Sequence, residues 1–310
     1  MQDEFVSIII PTYKRADLLE RAIASVLNQS YTNIEVIVVD DNDPHTEYRK
    51  KTESIMKKFI TTPNVIYFKH DRNKNGASAR NSGIKLARGQ YIGFLDDDDE
   101  FHKDKVWYQV KELRKTDGKI GAVYCDFVVK DNNQIIRKNR YNKEGNLQFD
   151  VLCNKLNISG SNFLFKKNAV ENTGFYDERF NRHQDLEFLV RFFNDYKTKY
   201  INKSLLSIYK DDRANILDTA AMEKIKKQFL SKYEGIIQTY QKRGHLIYFY
   251  NYLEIYKQHL LNKDFLAALK CWKKYKLGLR VIPSLLNRQL YKLMDKVMVK
   301  LYLLKKERLL

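Results

Sequence analysis

Four consecutive carboxylates, Asp96 to Asp99, follow the apolar run Tyr91 to Leu95. Packed this densely they repel one another, and a surface loop gains nothing structural from the arrangement. A hard divalent cation, Mg²⁺ or Mn²⁺, would relieve the repulsion, since such ions take oxygen ligands, commonly one or two carboxylates completed by diphosphate oxygens and water. A solvated acidic turn, with Asp99 or Glu100 near the start of the next helix, is the structural alternative. Polar groups stand behind two other apolar runs: Pro11-Thr12-Tyr13 after Val6 to Ile10, and Asp40-Asp41 after Glu35 to Val39. Further along, Arg182-His183-Gln184-Asp185 precedes the helix-patterned Leu186, Phe188, Leu189 and Phe192, which puts Asp185 at a helix start. There an N-cap worth about 1 kcal/mol is the bland reading. His183, isolated in the sequence, reads as a structural or substrate contact rather than a base. Ser159-Gly160-Ser161 stands before the apolar Phe163 to Lys166, where glycine suits a tight turn.

The elements that must position these groups follow from periodicity. Val6 to Ile10 is a β-branched run of the kind buried on both faces of a sheet, and Leu19, Ala22, Ile23, Val26 and Leu27 then recur at helical spacing before Glu35 to Val39. That is a strand, helix, strand unit of about 35 residues whose right-handed crossover makes the strands parallel. The alternation continues through helices near 47–59 and 77–87 and strands at 65–69 and 91–95, a doubly wound α/β pattern. Later strands are expected at 122–130, 134–137 and 163–166, with a helix over 185–194. In such a sheet, ligands bind where parallel strands end, so the three polar groups should meet on one edge.

Five ordered motifs in the first hundred residues carry a resemblance. They are Val6-Ser-Ile-Ile-Ile-Pro-Thr-Tyr-Lys-Arg15, Ser25-Val-Leu-Asn-Gln-Ser-Tyr31, Glu35-Val-Ile-Val-Val-Asp-Asp41, Gly76-Ala-Ser-Ala-Arg-Asn-Ser-Gly83 and Gly89-Gln-Tyr-Ile-Gly-Phe-Leu-Asp-Asp-Asp-Asp99. Together they resemble the family 2 glycosyltransferases of GT-A fold, of the type that builds bacterial surface polysaccharides. The resemblance implies a Rossmann-like mixed α/β sheet flanked by helices. It also implies an inverting, metal-dependent transfer from a nucleotide sugar, a UDP-sugar, to a hydroxyl of a glycan or lipid-linked acceptor. Pro11, Thr12 and Tyr13 would line the nucleotide pocket, Asp41 would accept a hydrogen bond from the uracil edge, and Arg80 would lie near the nucleotide. Asp96, Asp97 and Asp98 occupy the D-x-D position, with Asp96 and Asp98 on the metal. Asp185 would be the base that deprotonates the acceptor, and Ser159, Gly160 and Gln184 would contact that acceptor. Gln184 departs from the commoner glutamate.

Composition sets the outer bounds. In 310 residues with 44% apolar content there is material for a sizeable core, and the formal charge of +18 is concentrated late: from Ala221 onward there are 20 basic and 6 acidic residues. The first domain is therefore placed at 1–215, and 216–310 is a basic, Tyr-rich helical region. Leu286, Leu290, Leu293, Met294, Val297, Leu301 and Leu304 mark one helical face with Arg288, Lys292, Lys296 and Lys300 beside it. Such a helix suits the surface of an anionic membrane, packing within the chain, or a homo-oligomer contact. No run reaches the ~18 to 20 apolar residues of a membrane span, and no leader pattern opens the chain, so a cytoplasmic protein peripheral to the membrane is expected. Three scattered cysteines support neither a disulfide framework nor a zinc site. An RNA-binding role is the alternative class, but Tyr248, Tyr250, Tyr252 and Tyr256 interleave with Ile247, Phe249 and Leu253 as in a packed helix, so no nucleic-acid partner is expected. A dinucleotide oxidoreductase is disfavoured, because no G-x-G-x-x-G follows the first strand.

Overall fold

The computed structural model describes residues 4–156, 159–210, 218–275 and Leu277. The chain divides into two compact units: Met1–Val151 with Leu156–Ala214, and Leu152–Lys155 with Asn215–Leu310. In chain order, the first carries β1 (Val6–Thr12), α1 (Ala16–Leu27), β2 (Ile34–Asp40), α2 (Glu47–Met56), β3 (Val65–Lys69), α3 (Gly76–Leu86), β4 (Tyr91–Phe94) and β5 (Glu100–Phe101). Then follow α4 (Lys105–Leu113), β6 (Ile120–Asp131), β7 (Gln134–Asn139), α5 (Gln148–Leu152), β8 (Phe163–Lys166), α6 (Lys167–Thr173), α7 (Gln184–Asp195) and β9 (Lys197–Tyr209).

One mixed sheet joins all nine strands in the order β3-β2-β1-β4-β8-β6-β9-β5, with β7 paired to β6. β1, β2, β3 and β4 are mutually parallel, as the crossover argument requires. β8 runs antiparallel to both β4 and β6, whereas β9 runs parallel to β6. The β-branched runs are buried because helices cover both faces: Ile8, Ile9, Ile10, Val36, Ile37, Val38 and Val39 are sealed from solvent. Helix α3 lies so close to β1 that a Cβ on Gly83 would stand 2.3 Å from Ile9 Cγ2. Any larger residue at 83 would lift that helix, and Arg80 with it.

The second unit is helical in its described part: α8 (Thr219–Lys232), α9 (Glu234–Thr239), α10 (Gly244–Leu261) and α11 (Phe265–Lys274). Phe229, Leu230, Ile237, Ile247, Leu253 and Ile255 are buried in it, and Tyr252 stacks on Tyr275 with ring centroids 3.5 Å apart. Lys226 is buried and salvaged by Glu254 at 2.7 Å. No helix among the described residues is long and apolar enough to cross a membrane. The amphipathic helix expected near 283–306 lies outside the described residues.

Candidate functional site

Parallel pairing brings the ends of β1, β2 and β4 to one edge, and antiparallel pairing of Gly93 with Leu164 brings the start of β8 to the same place. Those two facts bring Thr12, Asp41, the acidic run and the Gly160–Asn162 turn together, and helices α3 and α7 add Arg80, Gln184 and Asp185. The turn Gly160–Asn162 before β8 sits beside the acidic run, so the Asp96 N–H donates to Ser161 Oγ at 3.1 Å.

The four carboxylates alternate. Asp97 and Asp99 point inward and are buried, whereas Asp96 and Asp98 keep 36% and 15% of their side-chain surface open. Thr12 Oγ1 donates to Asp97 Oδ2 at 2.7 Å, tying the end of β1 to the end of β4. Burial, reinforced by the charges of Asp98 and Asp96, pushes the Asp97 carboxyl up to about 7. Asp99 is held well above the ordinary range by burial and then by Asp96 and Asp98. This crowd of negative charge, with two outward carboxylates two residues apart, fits a hard divalent cation. Three side chains of the ligand type do not converge on one point among the described residues, so such an ion would need oxygens from elsewhere.

Two arginines compensate the charge. Arg15 Nη1 reaches Asp98 Oδ2 at 2.7 Å and Asp97 Oδ1 at 3.5 Å. Arg80, buried in α3, donates through Nη2 to Asp96 Oδ1 at 2.7 Å and through Nη1 to Gln184 Oε1 at 3.1 Å, and its Nε lies 3.9 Å from Asp185 Oδ1. Desolvation opposes its charge, but Asp185 and Asp96 outweigh that and hold the guanidinium pKa above normal. Asp185 is the second residue of α7. The N-cap position belongs to His183, in the left-handed region with φ 59° and no capping side-chain bond. The capping alternative for Asp185 therefore does not describe this helix. Protein packed around the carboxyl raises its pKa, Arg80 opposes the rise and Asp96 adds to it. Its side chain remains 36% exposed. Gly160 makes this position possible: a Cβ there would stand 3.0 Å from Asp185 Oδ2 and 3.1 Å from Oδ1. Ser159 Oγ is turned back to accept from the Ser161 N–H at 3.2 Å.

Asp41, which the resemblance sets at the uracil edge, follows the end of β2 directly. Its two oxygens accept from His70 Nδ1 (2.6 Å), the Lys74 N–H (2.9 Å), the Asn75 N–H (2.9 Å) and Asn73 Nδ2 (2.9 Å), and the residue is 2% exposed. Here the carboxylate organises the loop between β3 and α3. Asn75 Oδ1 in turn caps α3 by accepting from Ala77 N and Ser78 N, which orients the helix that carries Arg80. Tyr13, by contrast, is 39% exposed beside Lys14, which has a positive φ of 60°. Pro11 lies within the β1 ladder opposite Val39.

Nothing in the sequence singles out Arg15 or His70, and Ser161 stands out only as part of the turn before β8. Arg15 lay within a quoted motif, but its pairing with residues about 80 positions away left no local signal. A cavity of about 280 Å³ opens beside Asp98, lined by Leu18, Arg21, Asn132, Asn133, Tyr209 and Lys210, four of which come from the β6–β7 turn and the end of β9, remote in sequence from α1.

Residues 7–174 match the model described as glycosyl transferase family 2. An uncharacterized glycosyltransferase of Rickettsia prowazekii (strain Madrid E) is 32% identical over 194 residues, 61% of this chain and 58% of its own length. WfaP of Escherichia coli, described as a UDP-Glc:alpha-D-GlcNAc-diphosphoundecaprenol beta-1,3-glucosyltransferase, is 29% identical over 172 residues, 56% of this chain and 64% of its own length. The chain thus spans less than two thirds of each of these relatives. Among solved structures, S. aureus TarS 1–349 in complex with UDP-GlcNAc superposes with a TM-score of 0.57 at 15% identity, covering 82% of this chain and 81% of that one. At that identity the likeness is one of fold.

Proposed function

Because the chain belongs to glycosyl transferase family 2, we propose that it moves a sugar from a UDP-sugar to a hydroxyl of a glycan or lipid-linked acceptor in surface polysaccharide synthesis, with inversion at the anomeric carbon. The observation that carries this reading is the single guanidinium of Arg80 bridging Asp96 of the acidic run and Asp185 at the start of α7. It brings a group suited to a diphosphate and a group suited to an acceptor proton into one site. The naming of WfaP as a UDP-Glc-dependent enzyme and the UDP-GlcNAc complex of TarS support the donor class.

In this reading Tyr13 lies against the base, Thr12 fixes Asp97, and Asp96 and Asp98 would hold Mn²⁺ or Mg²⁺. The ion, when bound, neutralises charge on the departing diphosphate. Arg80 and Arg15 hold the outward carboxylates in place and stand ready to meet phosphate oxygens. Asp185 takes the acceptor proton as the new bond forms, on a carboxyl whose raised proton affinity suits a base. Gly160 leaves that carboxyl room. The site belongs on the cytoplasmic side of a membrane, where nucleotide sugars are made, with the chain peripheral to it.

The test is UDP release from a panel of UDP-sugars with acceptor, with and without Mn²⁺ or Mg²⁺. One donor should turn over and excess EDTA should stop it; turnover unchanged by EDTA, or by no donor in the panel, removes the proposal. Asp98→Ala should lower transfer by at least about 10²-fold, since several kcal/mol of charge stabilisation go with the ion. Its circular dichroism should match the parent, because Arg15 keeps a second carboxylate partner in Asp97. Gly160→Ala should displace the Asp185 carboxyl and lower kcat by roughly 10 to 10²-fold with little change in donor KM. An unaltered kcat would show that Asp185 tolerates the shift and is not positioned by this turn.

A further inference from the structure

The carboxylate site occupies the edge where β1, β2 and β4 end. Ser30 to Thr32 precede the start of β2, and Glu4 precedes the start of β1, so these residues belong to the opposite edge of the sheet. A groove of about 440 Å³ lies there, bounded by Ser30, Tyr31, Thr32, Trp107, Lys111 and Arg114. Trp107 is 40% exposed on α4, a helix already anchored by buried Val106, Val110 and Leu113. Its indole packs edge-on against Tyr108, with ring centroids 4.9 Å apart. Lys111, one turn further on, holds its Nζ 4.6 Å from the indole ring centroid, and no carboxylate pairs with it among the described residues. Arg114 is fixed at the end of the groove, donating from Nε to Glu4 at 2.7 Å. Ser30 and Thr32 are exposed, as are Lys103, just before α4, and Lys115, just after it and paired with Glu112 at 2.8 Å.

We propose that this groove is a binding site for an acidic saccharide segment, separate from the transfer site. A pyranose face presents electron-poor C–H groups, which pack on the negative face of an indole. Its hydroxyls find partners in Ser30 and Thr32, and a carboxylate or phosphate on the sugar finds the Lys111 ammonium. Concavity and hydroxyl lining favour a saccharide over a flat lipid surface. The uncompensated lysine favours an acidic saccharide over a neutral one. On a chain that builds a charged glycan, such a site would retain the polymer while its end is extended at the other edge, but binding itself does not depend on the transfer reaction.

The sequence holds two tryptophans, so Trp272→Phe leaves Trp107 as the sole reporter of the groove. Titration of that variant with a hyaluronan tetrasaccharide should give a saturable change in tryptophan emission, and calorimetry on the unsubstituted chain should return the same affinity. Lys111→Glu and Lys111→Gln should each weaken binding by about tenfold or more, the worth of one charge-assisted contact, with unchanged melting. Maltotetraose should bind more weakly by a similar factor. Equal binding of maltotetraose, indifference to Lys111→Glu, a response confined to phosphatidylglycerol vesicles, or no response to any of these probes would overturn the proposal.

Discussion

Asp185→Asn is expected to retain donor affinity and to lose turnover by roughly 10² to 10⁴-fold, the usual worth of a positioned general base. The substitution preserves shape, so Gly160 still accommodates the side chain and α7 still begins at Gln184. A helix-cap explanation of any loss is excluded by geometry, since the cap position is occupied by His183. Separate measurement of kcat and donor KM makes the prediction sharp, because a structural defect would also disturb Gln184 and Arg80 and so change KM. Near-parent turnover, or an NMR spectrum showing that the product retains the donor's anomeric configuration, would remove Asp185 from this role.

Asp41→Ala should be the most destabilising of the site substitutions. The carboxylate accepts from His70, Asn73 and two backbone N–H groups in a nearly closed environment, and deleting it strands those donors. The expected loss is about 3 to 5 kcal/mol, as for other buried partners removed singly, or a fall in melting temperature of roughly 6 to 20 °C. Asp41→Asn keeps one acceptor oxygen and should fall between. Thermal unfolding followed by circular dichroism decides the matter. If Asp41→Ala melts with the parent and loses only UDP affinity, then the carboxylate reads the base as the sequence resemblance implies, and its role in the loop is incidental.

This contrast shows which parts of the molecule local sequence could express. β1, β2, β4 and β8 are short runs buried on both faces, and their hydrophobicity marks them directly. β9 carries no such mark, because Lys197 to Ser204 is largely polar and half exposed and its strand character comes from long parallel pairing with β6. Helix α4 carries its own signal in Val106, Val110 and Leu113 at helical spacing. At the site, residue types at strand ends were legible because parallel topology alone collects them. Partnerships were not: Arg80 meets Gln184 across 104 positions, and Asp41 is claimed by a loop some 30 residues later. Contacts of that kind are set by packing, not by any pattern near either residue.

The place of β8 in the sheet has a consequence for how the chain is made. β4 has β1 on one side, but its other side is covered only by β8. About 70 residues separate the end of β4 from the start of β8, so at ~5 to 20 residues per second a ribosome leaves that edge open for several seconds. During that interval Tyr91 to Phe94 presents an apolar row of unpaired backbone groups, the kind of edge that joins other chains. Fragments ending between 102 and 160 should accordingly be held by chaperones or aggregate, and solubility should return only once β9, which covers the other side of β6, is complete past residue 209. The acidic run directly after β4 places four negative charges beside the exposed edge throughout this window, which would keep two nascent chains apart before any substrate is ever met.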